Sequence, residues 1–83
     1  MATHGNLISW KEIRAMLDAC APGWRYVDKT HKRWVYFRDL PDAFRLPLGK
    51  HGRRENPEIQ PGHVKAMARY FGVYDCAKRY LRW

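Results

Sequence analysis

The chain has 83 residues, a mass of 9.9 kDa and a formal net charge of +8. A chain this short buries only about 60–65% of its unfolded surface and holds one core, so residues 1–83 are expected to form a single domain. A hydrophobic content of 46% excludes global disorder. The sequence contains neither the ~18-residue apolar run of a membrane helix nor a secretory signal, which predicts a cytoplasmic protein with no membrane partner.

The first predicted element is a helix over residues 8–20. Ser9 and Glu12 form the Ser-x-x-Glu capping box, which satisfies free N–H groups of a first helical turn. Apolar side chains then recur at steps of three and four residues and define one buried stripe: Trp10, Ile13, Met16, Leu17 and Cys20. Pro22 and Gly23 end the helix, since proline lacks a donor and glycine permits positive φ.

Three strands are predicted next, over residues 24–28, 33–38 and 44–48. Aromatic and β-branched residues dominate the second of them, and Asp and Pro mark the turn that follows it. Within this strand one alternate pair, either Val35 with Phe37 or Trp34 with Tyr36, must enter the core. Pro47 lacks an amide proton, which places the third strand at a sheet edge. Short links between the strands favour an antiparallel meander.

A second helix is predicted from Pro61, which suits a first helical position, to a C-cap at Gly72. Asp75 is expected to cap a last short helix that ends near Leu81. The predicted fold class is therefore α+β, in the order α-β-β-β-α with a short C-terminal helical tail. A three-stranded antiparallel sheet carries two helices on one face as a two-layer sandwich, and its other face stays open.

Basic charge is concentrated in the middle of the chain. Residues 29–54 hold eight basic and two acidic side chains, a local net charge of +6. Such clustering attracts phosphate backbones, and the arginine-rich composition suits them. The plainer reading is a solvated surface. We expect RNA as a partner, with these contacts on the strand turn and the basic loop: Lys29, Thr30, Lys32, Arg33, Lys50, Arg53 and Arg54.

Cysteine and histidine give little sign of a metal or a cofactor. Cys20 and Cys76 form no Cys-x-x-Cys pair, and we expect both to be reduced, although a disulfide between them stays open. No histidine lies four residues from another histidine or a cysteine, so no zinc site is predicted. His63, in the first turn of the second helix, is either a plain surface residue or a phosphate contact at the helix N-terminus.

Three stretches of the sequence carry a resemblance to a known family. They are Gly-Trp-Arg-Tyr-Val over residues 23–27, Thr-His-Lys-Arg-Trp over residues 30–34, and the helix sequence of residues 59–73 that ends in Gly72-Val73. Together they resemble the HicA family of small bacterial mRNA interferase toxins over about residues 8–73. The sequence departs from the family pattern at Lys29, where glycine is usual, and at Thr30, where serine is usual.

The resemblance implies a fold like the double-stranded RNA-binding domain, metal-independent cleavage of mRNA without a cofactor, and neutralisation by a HicB-type antitoxin. It places His31 at the functional histidine. An imidazole can take the proton of a ribose 2′-hydroxyl near pH 7, and adjacent cations can stabilise the charge that develops on the phosphate. An inert surface histidine is the plainer reading of His31.

Two other functions are weighed against catalysis. One is a non-catalytic RNA-binding module on the same fold, which would show salt-dependent binding without cleavage. The other is a basic protein-interaction factor, such as a phage or plasmid inhibitor, which would bind an acidic protein and ignore RNA.

Overall fold

The computed structural model describes residues 7–29, 31–47 and 57–83. It confirms the α+β class. The elements in chain order are β1 (Ile8–Ser9), α1 (Trp10–Cys20), β2 (Arg25–Asp28), β3 (Lys32–Tyr36), β4 (Phe44–Pro47), β5 (Glu58–Ile59), α2 (Pro61–Phe71) and α3 (Tyr74–Leu81).

Helix α1 begins at Trp10 and not at Ile8, because the two preceding residues form a short strand. The strand β1 pairs antiparallel with β5, with Ile8 opposite Ile59. Ser9 is the N-cap as predicted: its Oγ accepts a hydrogen bond from the Glu12 backbone N–H at 3.2 Å and donates to Glu12 Oε1 at 3.1 Å. The structure therefore adds a two-stranded sheet to the predicted order.

The strands β2, β3 and β4 form the predicted antiparallel meander, with β3 in the centre. Tyr26 lies opposite Val35, and Arg33 lies opposite Leu46. Since paired residues share a face, the sheet has one face that includes Val35 and Leu46 and another that includes Trp34. Pro47 ends β4, which is an edge strand as predicted.

The helices cover the face of the sheet that includes Val35 and Leu46, both fully buried. From α1, the Trp10 ring meets the Tyr26 ring edge-on with centroids 5.0 Å apart. From the end of α2, the Phe71 ring lies 5.5 Å from the ring of Phe37. The predicted two-layer arrangement is thus confirmed, and its core lies between this face and the two helices.

Helix α2 has the predicted bounds and α3 a different cap. Pro61 occupies the first turn of α2, and Gly72 ends that helix in the left-handed conformation with φ 74°. Val73 is the N-cap of α3, and Asp75 lies in its first turn, so the predicted capping role of Asp75 is wrong. Within the described segments, no helix has both the length and the apolar character needed to cross a bilayer.

The expectation that both cysteines are reduced is also wrong. Cys20, the last residue of α1, forms a disulfide with Cys76 in α3, and their Cα atoms lie 5.7 Å apart. The 56-residue separation hid this pairing, because it depends on α3 packing against α1. The bond fixes the C-terminal helix to the first one.

Candidate nucleic-acid interface

The turn between β2 and β3 brings three of the predicted site residues together. Lys29, His31 and Lys32 are all exposed there. The backbone N–H of Lys29 donates to the carbonyl of Lys32 at 2.8 Å, which closes the turn that carries His31. His31 is therefore presented to solvent between two lysines rather than packed in the core.

This arrangement has the parts that a proton transfer at a phosphate needs. An exposed imidazole can approach a ribose hydroxyl, and an ammonium group on either side can contact phosphate oxygens. Antiparallel pairing of Lys32 with Pro47 sets the end of β4 beside this turn. Consequently, Pro47 lies at the same end of the sheet as His31.

Arg33 does not belong to this exposed group, and its role as a phosphate contact stays a prediction. Its side chain is only 7% exposed, and its Nε donates to Asp28 Oδ1 at 2.7 Å. The guanidinium carbon lies 4.6 Å from the centroid of the Trp10 ring and 5.8 Å from that of Tyr26. The side chain faces helix α1, because neighbouring residues of a strand point to opposite faces.

Of the other predicted residues, His63 lies on another element and four are not described by the structure. His63 is exposed in the first turn of α2, where its backbone N–H donates to the carbonyl of Gln60 at 3.1 Å. Thr30, Lys50, Arg53 and Arg54 lie outside the described residues. Among the residues that the structure does describe, no group of three or more His, Cys, Asp or Glu side chains is arranged to hold a metal ion.

The structure shows a second surface that the sequence indicated only as one of two alternatives. Val35 and Phe37 are the pair that enters the core, so Trp34 and Tyr36 lie half-buried on the side of the sheet opposite the described helices. We call this side the open face. Its described members are Arg25, Val27, Lys29, Lys32, Trp34, Tyr36, Arg45 and Pro47, assigned by strand register and ring contacts.

Cations lie against both rings of the open face. The Arg25 guanidinium carbon is 4.7 Å from the centroid of the Tyr36 ring. Lys29 Nζ and the Arg45 guanidinium carbon each lie 4.9 Å from the centroid of the Trp34 ring. Lys29 belongs both to this face and to the His31 turn, so the two surfaces are continuous.

Comparison of the chain with protein-family models, with curated proteins and with solved structures finds no match.

Proposed function

We propose that the protein is a HicA-like endoribonuclease, the toxin of a toxin–antitoxin pair, which cleaves mRNA with His31 as the base. The proposal includes a HicB-type antitoxin as partner and a bacterial cytoplasmic location. The observation that carries it is the exposed His31 on the β2–β3 turn, flanked by the exposed Lys29 and Lys32. The α+β fold around the turn is of the class that the family resemblance implies.

In the proposed reaction the nucleophile comes from the substrate. The imidazole of His31 takes the proton of a ribose 2′-hydroxyl, and that oxygen attacks the adjacent phosphorus. The phosphorane that forms carries extra negative charge, which the ammonium groups of Lys29 and Lys32 stabilise. The bond to the 5′-oxygen then breaks, and a proton from imidazolium or water restores that hydroxyl. The products are a 2′,3′-cyclic phosphate and a 5′-hydroxyl end.

Cleavage of a labelled RNA by wild type and His31→Ala, in buffer with a metal chelator, tests the proposal. Wild type is expected to cut, and loss of the general base is expected to slow cutting by about 100- to 10,000-fold. Lys78→Ala is the control, because Lys78 is an exposed residue of α3 and belongs to neither candidate surface, and it should retain most of the activity. Circular dichroism must show that all three proteins fold alike.

A non-catalytic RNA-binding module is the second candidate, and the open face favours it. Aromatic rings and cations there offer contacts to RNA that do not involve His31. Salt-dependent binding by wild type without any scission would select this candidate and reject catalysis. Equal cutting by wild type and His31→Ala would reject the role of His31.

The proposed cytoplasmic location has a separate test. Disulfides persist mainly in oxidising compartments, and the Cys20–Cys76 bond therefore counts against a reducing cytoplasm. Alkylation of thiols in intact cells before lysis distinguishes a reducing cytoplasm from an oxidising compartment. Modification of both cysteines would support the cytoplasm, and a protected disulfide would support an oxidising compartment.

A further inference from the structure

We propose that the open face of the sheet binds single-stranded RNA, with unpaired bases stacked on Trp34 and Tyr36 and phosphates held by the surrounding cations. This inference rests on the RNA binding in the proposed function and is independent of the cleavage step. It adds a binding surface to the His31 turn and names the form of RNA that this surface takes.

The two rings are placed to meet two different bases. Trp34 and Tyr36 are two residues apart on the central strand β3, so both project from the same side of the sheet at a spacing of roughly 6.7 Å. The helices pack against the other side of the sheet, as the burial of Val35 and Phe37 shows. An approaching strand therefore meets the rings of Trp34 and Tyr36 without first displacing any of the three helices that the structure describes.

The charge around these rings suits a polyphosphate strand. Four members of the open face are cations contributed by all three strands and the adjoining turn: Arg25, Lys29, Lys32 and Arg45. None of its described members is acidic, because Asp28 lies opposite Arg33 and so shares the helix-covered side. Electrostatic complementarity therefore favours an anionic partner over a neutral or basic one.

Stacking on a flat ring requires a base with a free face. In a duplex both faces of an interior base are covered by its neighbours, and a protein reaches mainly phosphates and 2′-hydroxyls. A sheet that presents aromatic side chains offers a platform for splayed, unpaired bases instead. The rings of the open face can therefore stack only with bases of a single strand, a loop or a frayed end.

The cations that already lie against the rings do not prevent stacking. An exposed cation–π contact changes an equilibrium by about 2- to 5-fold, whereas stacking of a base on an aromatic side chain changes it by about 5- to 150-fold. A base can therefore displace Lys29 from Trp34 with a net gain. It can alternatively stack on the guanidinium plane of Arg25 or Arg45, which then extends the platform.

The test measures binding by fluorescence anisotropy with two labelled probes. One is a single-stranded 2′-O-methyl RNA of mixed sequence, which has no free 2′-hydroxyl and so resists cleavage, and the other is the same strand annealed to its complement. Trp34→Leu and Tyr36→Leu are each expected to weaken single-strand binding by about 5- to 150-fold. Trp34→Phe is expected to retain most of the affinity, because it keeps a ring.

The controls separate stacking from loss of structure. Tyr80→Leu removes an exposed tyrosine of α3, away from the sheet, and should bind like wild type. Thermal melting must show that Trp34→Leu is folded. Duplex binding, which depends on charge, should change little in the Trp34 and Tyr36 variants.

The outcomes distinguish failure of the stacking surface from failure of the catalytic proposal. If the leucine variants bind the single strand as wild type does, or if duplex binding falls equally, the stacking surface is wrong while RNA cleavage can still stand. If wild type stacks the single strand on these rings but cuts no RNA, the inference stands and the catalytic proposal fails. If wild type binds neither probe, both fail.

Discussion

At the scale of single residues, Arg33 and Asp28 form an ion pair whose two side chains differ in solvent exposure. The Arg33 side chain is 7% exposed, whereas that of Asp28 is 66% exposed. The carboxylate therefore keeps most of its hydration, while the guanidinium has exchanged water for contacts that include the rings of Trp10 and Tyr26 and the charged hydrogen bond to Asp28. Removing one partner or the other should have different effects on the free energy of unfolding.

We predict that Asp28→Ala destabilises the fold more than Arg33→Met does. The first change removes the charged hydrogen bond that the Asp28 carboxylate makes with a buried cation, which is expected to lower the free energy of unfolding by about 1.5–3 kcal/mol. The second removes the charge and fills similar space with an apolar chain, with an expected loss below about 1.5 kcal/mol. Urea denaturation measures both, and a larger loss in Arg33→Met would contradict this account.

The burial of Arg33 does not follow from the sequence alone, because the sequence does not show which side of β3 enters the core. Period-two alternation puts Arg33 on the side of Val35 and Phe37, the residues that enter the core. Arginine is rarely buried without partners, and its partners Trp10 and Asp28 come from other elements. The exposure of Lys29 and Lys32 follows the ordinary preference and agrees with the sequence-based expectation.

At the scale of elements, the sequence predicts a helix correctly where its capping residues and its apolar pattern lie within the element itself. The caps at Ser9 and Gly72 and the apolar stripes of α1 and α2 lie within a few turns of helix, and the structure has both helices. The pairing of β1 with β5 joins two-residue strands that are 50 positions apart. Two residues are too few to show a periodic pattern, so only the tertiary contact defines these strands.

The disulfide between α1 and α3 gives an element-scale prediction. Closing a loop of 56 residues limits the unfolded ensemble, which is worth roughly 4 kcal/mol in the chain-entropy model. We expect dithiothreitol to lower the free energy of unfolding of wild type by about that amount. The unfolding transition in urea, followed by tryptophan fluorescence with and without reductant, measures the change.

Cys76→Ala supplies the control for that experiment. This variant should have nearly the stability of reduced wild type and should not respond to dithiothreitol. A reductant effect of equal size in Cys76→Ala would show that the loss in wild type comes from something other than the bond.

At the scale of the whole molecule, the open face predicts how RNA binding depends on salt. Four cations that neutralise phosphates of a single strand give a slope of log K against log salt of about −3. Arg45→Ala removes one of them and should make the slope shallower by about 0.7. Arg79→Ala removes an exposed arginine of α3 with the same loss of net charge, and its slope should equal that of wild type. Equal slopes for all three would place the phosphates elsewhere.

The overall architecture was predictable because element order and short links leave few ways to cover a three-stranded sheet. The candidate site was predictable only in part. The His31 turn is local, and its exposure follows from its polar sequence. The position of the open face depends on which side of β3 the helices cover. The helices cover the side of Val35 and Phe37 because of contacts with residues distant in sequence, such as the contact between Phe37 and Phe71. The alternation of residues along β3 is compatible with burial of either side of the strand, so it does not identify the buried side.

The bond between Cys20 and Cys76 also makes the middle of the molecule a covalent ring. A protease that nicks the backbone inside this ring leaves one molecule, whose pieces separate only after reduction. Under mechanical load applied before Cys20 and after Cys76, the tension passes through the sulfurs, and the 56-residue span stays slack. The measured extension would therefore lack roughly 190 Å of extended chain until the bond is reduced. The three-stranded sheet, the His31 turn and the open face lie within that span.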